Sequence, residues 1–149
     1  MTQQPVPQQP MSQALSQELT LHCLDGRGRS LELAASFGYD PRDPYAVWIT
    51  FPNPAGDVRW AMSRSTLRRG MTDPAGQGDL QAWPSIDEDG RAVVVLEFQS
   101  PDGRLVAQAH TDAVHQFLTR SLALVPAGTE SEHLDLDGLV AALLGSAAQ

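Results

Sequence analysis

The most constraining feature of this 149-residue sequence is the stretch from Tyr39 to Phe51, which contains two prolines three residues apart. Pro41 and Pro44 exclude a helix, because proline lacks a backbone N–H and restricts the residue before it to extended conformations. The residues after Pro44 are aromatic and β-branched, a composition typical of strands. The stretch therefore predicts a turn leading into a central strand, with large side chains on both faces that neighbouring elements must cover.

Hydrophobic and polar residues alternate on both sides of this stretch, which predicts more strands. Glycine-containing turns at 25–28, 52–57 and 100–103 separate several of them and indicate hairpins. The segment 72–78 contains a proline and two glycines and is predicted to be a loop. Seven strands are expected in all. They are residues 19–23, 31–39, 45–51, 58–62, 79–83, 92–99 and 105–109.

Three helices are expected beside the strands. Ser63 suits the N-cap of a short helix over 64–69, and Gly70 suits a left-handed residue at its end. After His110 the hydrophobic period changes from two to about 3.6, which predicts a helix that packs one stripe onto a sheet. A last helix begins near Asp135 or Asp137. The predicted fold class is α+β: a strongly bent antiparallel sheet or barrel, a short helix after the fourth strand, and two C-terminal helices.

The length fits a single domain, expected over residues 18–145. Residues 1–17 are rich in Gln and Pro and are expected to form a flexible tail, and residues 146–149 a short C-terminal one. The start of the sequence has neither a basic region nor an apolar run, so no signal peptide is expected. The single cysteine, Cys23, excludes an internal disulfide, and a cytoplasmic location is expected.

Charge and motif content argue against several function classes. The formal net charge of −8 disfavours general binding to nucleic acids and direct binding to anionic membranes. No nucleophile motif such as G-x-S-x-G is present, and the four histidines lack the i,i+4 spacing of a helical metal site. The protein is therefore expected to be non-enzymatic, without a cofactor or a bound metal.

Two groups of residues are candidates for binding other proteins. The first is a cluster of basic residues that would dock an acidic segment, unless the protein's own carboxylates neutralise it. Its members are Arg59, Arg64, Arg68 and Arg69. The second is the apolar stripe of the last helix, which is either core or an interface with another subunit or partner. Its members are Leu136, Leu139, Val140, Leu143 and Leu144.

Several short motifs occur in an order that resembles one family. They are Tyr-Asp-Pro-x-Asp-Pro-Tyr-Ala-Val at 39–47, Asp-Val-Arg-Trp at 57–60 with Ser-Arg at 63–64, Gly-Gln-Gly-Asp at 76–79, Ser-Pro-Asp-Gly at 100–103, and Phe-Leu at 117–118 followed by Leu-Val-Pro-x-Gly-x-Glu at 124–130. Over about residues 19–144 the sequence resembles the SsgA-like sporulation and cell-division proteins of actinobacteria. The Gln/Pro-rich start departs from the short start expected of that family.

The resemblance implies a fold and a function that the residues alone do not. The implied fold is a bent β-barrel with helices, similar to whirly-type binders of single-stranded nucleic acid and assembled as a trimer. The implied function is a cytoplasmic, non-enzymatic adaptor at the division septum that works with FtsZ and with other SsgA-like proteins. The plain form of the chain is similar to the branch that recruits FtsZ. The whirly-like architecture leaves single-stranded nucleic-acid binding as the alternative function.

Overall fold

The computed structural model describes residues 15–134 and 136–147, which form one antiparallel sheet with three α-helices and a short 3₁₀ helix. The strands are β1 (Leu15–Leu24), β2 (Ser30–Tyr39), β3 (Ala46–Phe51), β4 (Val58–Ser63), β5 (Ala75–Gln77), β6 (Leu80–Ile86), β7 (Ala92–Ser100) and β8 (Gly103–His110). The helices are α1 (Arg64–Arg69), α2 (Thr111–Leu124), the 3₁₀ helix (Glu130–His133) and α3 (Leu136–Ala147).

The sheet is a curled half-barrel. Its strand order is β4-β3-β2-β1-β8-β7-β6-β5, and all paired neighbours are antiparallel. Strands β4 and β7 are five steps apart in this order, so a flat sheet would separate them by about 24 Å. The rings of Trp60 on β4 and Phe98 on β7 nevertheless lie 5.4 Å apart between centroids. The sheet must therefore curl strongly enough for side chains of β4 and β7 to meet across its concave face.

Helix α2 fills part of this concave face and completes the core. Its residues Val114, Phe117 and Leu118 are fully or almost fully buried. Phe117 meets Phe37 of β2 edge to face, with ring centroids 5.6 Å apart. The predicted α2 stripe is confirmed, and the helix covers one end of the half-barrel while the other end carries the β1–β2, β3–β4 and β7–β8 turns.

The fold class is as predicted, but two boundaries and the strand count differ. The sheet has eight strands rather than seven, because the predicted loop 72–78 contains β5, which pairs with the start of β6. Gly78, with φ +63°, makes the tight turn between them. At the N-terminus, residues 15–17 belong to β1 and not to the expected tail. The last helix extends to Ala147, two residues past the expected end of the domain.

The stretch between Tyr39 and Phe51 is a turn followed by β3, as its prolines predict. The buried Tyr39 hydroxyl donates a hydrogen bond to the Pro44 carbonyl oxygen over 2.8 Å, which closes the turn. Val47 and Ile49 then point into the core, while Tyr45 precedes the strand and is 51% exposed. The strand therefore begins at Ala46, one residue later than the predicted start at Tyr45.

Helix α1 matches its predicted bounds, but Gly70, which follows it, is required for a different reason than expected. The Ser63 hydroxyl accepts a hydrogen bond from the Thr66 N–H, as an N-cap does. Gly70 has φ −64° rather than the left-handed conformation expected of it. A Cβ on Gly70 would lie 2.5 Å from the Ala82 Cβ. Glycine is required here because α1 ends directly against β6, not because of the backbone conformation.

Candidate protein-docking surfaces

Arg64, one of the predicted docking residues, is a structural residue of the interior. Its residue exposure is 2%, and its guanidinium donates to Glu130 Oε2 over 2.8 Å and to the Ser121 carbonyl oxygen over 3.1 Å. The same guanidinium lies over the Tyr39 ring, 4.8 Å from the centroid. Arg64 therefore joins α1, β2, α2 and the 3₁₀ helix. The prediction that it forms part of a surface patch is wrong, because its partners enclose it.

The electrostatics around Arg64 follow from this arrangement. The hydrogen bond from Arg64 lowers the pKa of the Glu130 carboxyl below its usual value of 4.5. Glu130 also accepts the Gly128 N–H over 2.9 Å, which stabilises the turn after α2. Burial raises the pKa of the Tyr39 hydroxyl. The two groups facing Arg64 are thus a carboxylate and a neutral phenol, which suits a permanently charged guanidinium.

The other three predicted docking arginines are exposed. Arg68 and Arg69 lie in the last turn of α1, where their charges complement the negative end of the helix dipole. Arg59 stacks its guanidinium over Trp48 on the convex face of the sheet, 4.4 Å from the ring centroid. Trp48 in turn donates its indole N–H to Asp43 over 3.0 Å. Neither Arg68 nor Arg69 has an ion pair among the described residues.

The described side chains of the apolar stripe of α3 are open to solvent. Val140, Leu143 and Leu144 are 52%, 61% and 64% exposed. The side chains of Leu136 and Leu139, the other predicted members of the stripe, lie outside the described part of the structure. Three neighbouring exposed aliphatic residues on one helix form the kind of surface that binds another protein. These three side chains are therefore not part of the described core.

Among the described residues, few ionisable side chains are clustered in the way that catalysis or metal binding would need. Cys23 is 1% exposed, and burial raises the pKa of its thiol to about 11, so the thiolate is scarce at neutral pH. His22 faces outward and lies 3.5 Å from Glu32. Within residues 15–134 and 136–147, no group of three or more His, Cys, Asp or Glu residues is arranged to hold a metal ion. In the same ranges, no helix is long and apolar enough to span a bilayer.

The curled sheet, the buried Arg64 anchor and the exposed arginines and leucines define a class of protein: an α+β half-barrel scaffold with charged and apolar side chains open to solvent. Residues 33–130 match the model of the Streptomyces sporulation and cell division protein SsgA. The chain belongs to this SsgA family of sporulation and cell-division proteins, which confirms the resemblance found in the sequence.

Two relatives extend the match over most of the chain. The chain is 42% identical over 128 residues to the sporulation-specific cell division protein SsgB of Kineococcus radiotolerans, covering 85% of this chain and 78% of that protein. It is 40% identical over 128 residues to SsgB of Streptomyces coelicolor, covering 85% and 93%.

Two solved structures share the fold. One is of SsgB, from work relating SsgB mutations to longitudinal cell division during sporulation of Streptomyces coelicolor. It matches with a TM-score of 0.74 at 38% identity, over 80% of this chain and 94% of that one. The other is an SsgA-like sporulation-specific cell division protein from Thermobifida fusca, with a TM-score of 0.76 at 30% identity over 86% and 93%. The curled sheet is therefore common to these proteins.

Proposed function

We propose that this protein is a non-enzymatic adaptor in sporulation-specific cell division that helps to position FtsZ at septa or to promote its assembly. The observation that carries the proposal is the similarity, over most of the chain, to relatives named sporulation-specific cell division protein SsgB. The proposed location is the cytoplasm at the division septum. The proposed partners are FtsZ and other SsgA-like or division proteins.

The surfaces that would bind these partners are the exposed arginines and the open stripe of α3. Arg68 and Arg69 project from the end of α1 without an ion-pair partner among the described residues, so their charges are available to an acidic segment. Arg59 is also exposed, and its guanidinium is stacked over Trp48 on the convex face of the sheet. Arg64 is excluded from the proposal because it is buried.

A homo-oligomer, proposed to be a trimer, would use the α3 stripe as its interface. Val140, Leu143 and Leu144 are more than half exposed, and burial against another subunit would remove this apolar surface from water. An oligomer would present several weak sites at once to a polymerising partner. Linked weak sites raise the overall affinity without any single strong contact.

Co-sedimentation with FtsZ polymers tests the adaptor function. The full chain is expected to enter the pellet only when FtsZ polymerises. Arg68→Ala/Arg69→Ala should reduce the bound fraction, whereas Arg27→Ala/Arg91→Ala removes the same charge from exposed positions elsewhere and should not. A wild-type protein that stays in the supernatant across a concentration series would refute the proposal. Equal loss in both double variants would refute the docking site alone.

Single-stranded nucleic-acid binding is the second candidate function. One observation favours it: Trp48 lies on the convex face with Arg59 stacked on its ring, a combination on which bases can stack. The net charge of −8 opposes it, because phosphate neutralisation supplies most of the affinity of such proteins. Fluorescence anisotropy with labelled oligonucleotides at low salt separates the two functions. Micromolar binding that weakens with salt and requires Trp48 would favour the nucleic-acid function.

A further inference from the structure

The turn that follows α1 contains an exposed threonine beside the two unpaired arginines of that helix. Thr72 and Asp73 are exposed, and Arg68 and Arg69 lie in the last turn of α1 just before them. The Thr72 hydroxyl points to the Arg69 carbonyl oxygen at 3.3 Å and to the Asp73 carboxylate at 3.1 Å. Both distances are long for a hydroxyl donor, so the oxygen is held loosely at the surface.

The spacing of the charges around this threonine is one that protein kinases use. Kinases with an acidic substrate cleft select an arginine three residues before the serine or threonine that they modify. Two of the ten arginines of the chain stand at this spacing: Arg69 before Thr72 and Arg27 before Ser30. Thr72 also has Arg68 four residues before it.

The two sites differ in how their arginines are engaged. In the β1–β2 turn, Arg29 is bound to Asp25 over 2.7 Å, and Ser30 is already part of the β1–β2 ladder. Neither Arg68 nor Arg69 has an ion pair among the residues that the structure describes. The turn after α1 is therefore the site whose arginines are free to enter an acidic cleft.

The turn is short and is held by few backbone contacts. The Met71 N–H donates to the Arg68 carbonyl oxygen over 3.3 Å, and the N–H groups of Thr72 and Asp73 donate to the Arg69 carbonyl oxygen over 3.0 and 2.8 Å. Helix α1 itself has only six residues. The ends of short helices open at a small fraction of the free energy of global unfolding, which lets a kinase bind the segment in an extended form.

We propose that Thr72 is phosphorylated by a Ser/Thr protein kinase that recognises Arg69 and Arg68, and that the phosphate prevents acidic partners from docking at this end of α1. The Thr72 hydroxyl oxygen attacks the γ-phosphorus of ATP, and the bond from that phosphorus to the β–γ bridging oxygen breaks. ADP leaves, and the hydroxyl proton passes to the catalytic-loop carboxylate of the kinase. The loss of docking rests on the proposed function, whereas the phosphorylation does not.

The charge of the phosphate is matched to that of the two arginines. A phosphothreonine carries about −1.5 to −2 charges at pH 7, which offsets two guanidinium groups. At the end of α1 it also meets the negative end of the helix dipole and the Asp73 carboxylate, so the arginines are what stabilises it. The patch that would attract an acidic segment is thereby neutralised.

Mass spectrometry of the full chain, isolated from sporulating and vegetative cultures of its source organism, tests the modification. Trypsin cleaves after Arg69 and releases residues 70–91, in which Thr72 and Ser85 are the only hydroxyl side chains apart from acids. Phosphate on Thr72 is expected in at least one kind of culture. Its absence from Thr72 in both would overturn the proposal.

Phosphorylation of the purified full chain tests the recognition. The catalytic domain of calmodulin-dependent protein kinase II, an arginine-directed kinase, should modify Thr72 with ATP. Arg69→Gln should lower the rate at least tenfold. Thr119→Val removes an equally exposed threonine that has Gln116 at the corresponding position, and it should leave the rate unchanged. Phosphate on Ser30 in place of Thr72, or a rate that Arg69→Gln does not alter, would overturn the assignment.

Phosphorus NMR tests the neutralisation without any partner. The second pKa of phosphothreonine is ordinarily about 6, and a neighbouring guanidinium lowers it. The pKa should therefore be higher in phosphorylated Arg68→Ala, which keeps the recognition arginine, than in the phosphorylated wild-type chain. Equal values would show that the phosphate does not pair with Arg68 and would overturn the neutralisation.

Co-sedimentation with FtsZ tests the consequence. The phosphorylated chain should bind about fivefold more weakly than the unmodified chain, the effect expected from losing two exposed ion pairs. Thr72→Val treated with kinase and ATP should bind like the unmodified chain. Equal binding of the phosphorylated and unmodified chains would overturn the switch. If the unmodified chain does not bind, the proposed function fails, whereas the phosphorylation is decided by mass spectrometry alone.

Discussion

Helices α2 and α3 carry similar apolar stripes but differ in what the stripes do. In α2, Phe117 and Leu118 are almost completely buried against the concave face of the sheet. In α3, Leu143 and Leu144 are more than 60% exposed. The difference is one of position: α2 directly follows β8 and packs on β1, β7 and β8, whereas α3 comes after the turn and the 3₁₀ helix.

The buried pair Arg64–Glu130 marks the boundary between these two regions. Up to Glu130, each helix has side chains that contact the core or Arg64. Arg64 donates hydrogen bonds to the Ser121 carbonyl oxygen in α2 and to the Glu130 carboxylate in the 3₁₀ helix. Beyond it, the exposed side chains of α3 face solvent. An amphipathic pattern therefore predicts a helix and its apolar face, but the position of the helix relative to the sheet decides whether that face is core or surface.

The largest effect is expected for Phe117→Ala in α2. The variant removes a fully buried ring that packs edge to face on Phe37, so the free energy of unfolding should fall by about 3 to 5 kcal/mol. Urea denaturation followed by circular dichroism measures this change. A loss below about 1 kcal/mol would mean that α2 is not part of the cooperative core.

Arg64→Ala should cost about 3 kcal/mol, because it leaves the mostly buried Glu130 without its partner and removes the contact with Tyr39. The matched control is Arg68→Ala, which removes an exposed arginine of the same helix and should change stability by no more than about 0.5 kcal/mol. The same denaturation experiment compares them. Equal effects would show that the boundary between the two regions does not depend on Arg64.

The Arg64–Glu130 pair also predicts a dependence of stability on acid pH. The pKa of Glu130 is lowered in the folded state, so the stabilisation is complete above the ordinary value of 4.5 and is lost as the pH falls through the lowered folded-state pKa. Glu130→Gln should therefore flatten the decline in stability below pH 4.5. Thermal unfolding of both proteins between neutral pH and acid pH measures this slope, and parallel curves would contradict the assignment.

The smallest effect on folding is expected in α3. Because Leu143 is 61% exposed, Leu143→Asp should change the free energy of unfolding of the monomer by no more than about 0.5 kcal/mol. The same substitution should weaken self-association if the stripe is an interface. Sedimentation velocity measures this, with Ala142→Asp as a control for an exposed charge on the same helix. An oligomer that is intact in Leu143→Asp would remove α3 from the proposed interface.

Local features of the fold could be predicted because they depend on neighbouring residues. The prolines before β3, the cap at Ser63, and the turns at 25–28 and 100–103 act within a few residues of one another. The strand β5 escaped prediction because only its pairing with β6 makes its three residues a strand. For the same reason Gly70 looked like a left-handed terminator, when the tertiary contact with Ala82 is what requires it.

The candidate sites also combine features that are local in the sequence with features that depend on tertiary contacts. The arginine cluster was visible in the sequence, but i,i+4 spacing could not reveal that Arg64 turns inward while Arg68 stays exposed. The partners of Arg64 at positions 121 and 130 are 57 and 66 residues away. The groove of about 310 Å³ between the β3–β4 and β7–β8 hairpins was missed because its apolar lining comes from five strands.

The α+β class, the hairpins, the three α-helices and the family could all be inferred from the amino-acid sequence, since periodicity, turn residues and short motifs are local properties of the chain. The degree of curl of the sheet, the burial of Arg64 and the exposure of Leu143 and Leu144 became visible only in the folded molecule. Those outcomes depend on contacts between residues far apart in the chain, and such contacts form only when the sheet closes around α2.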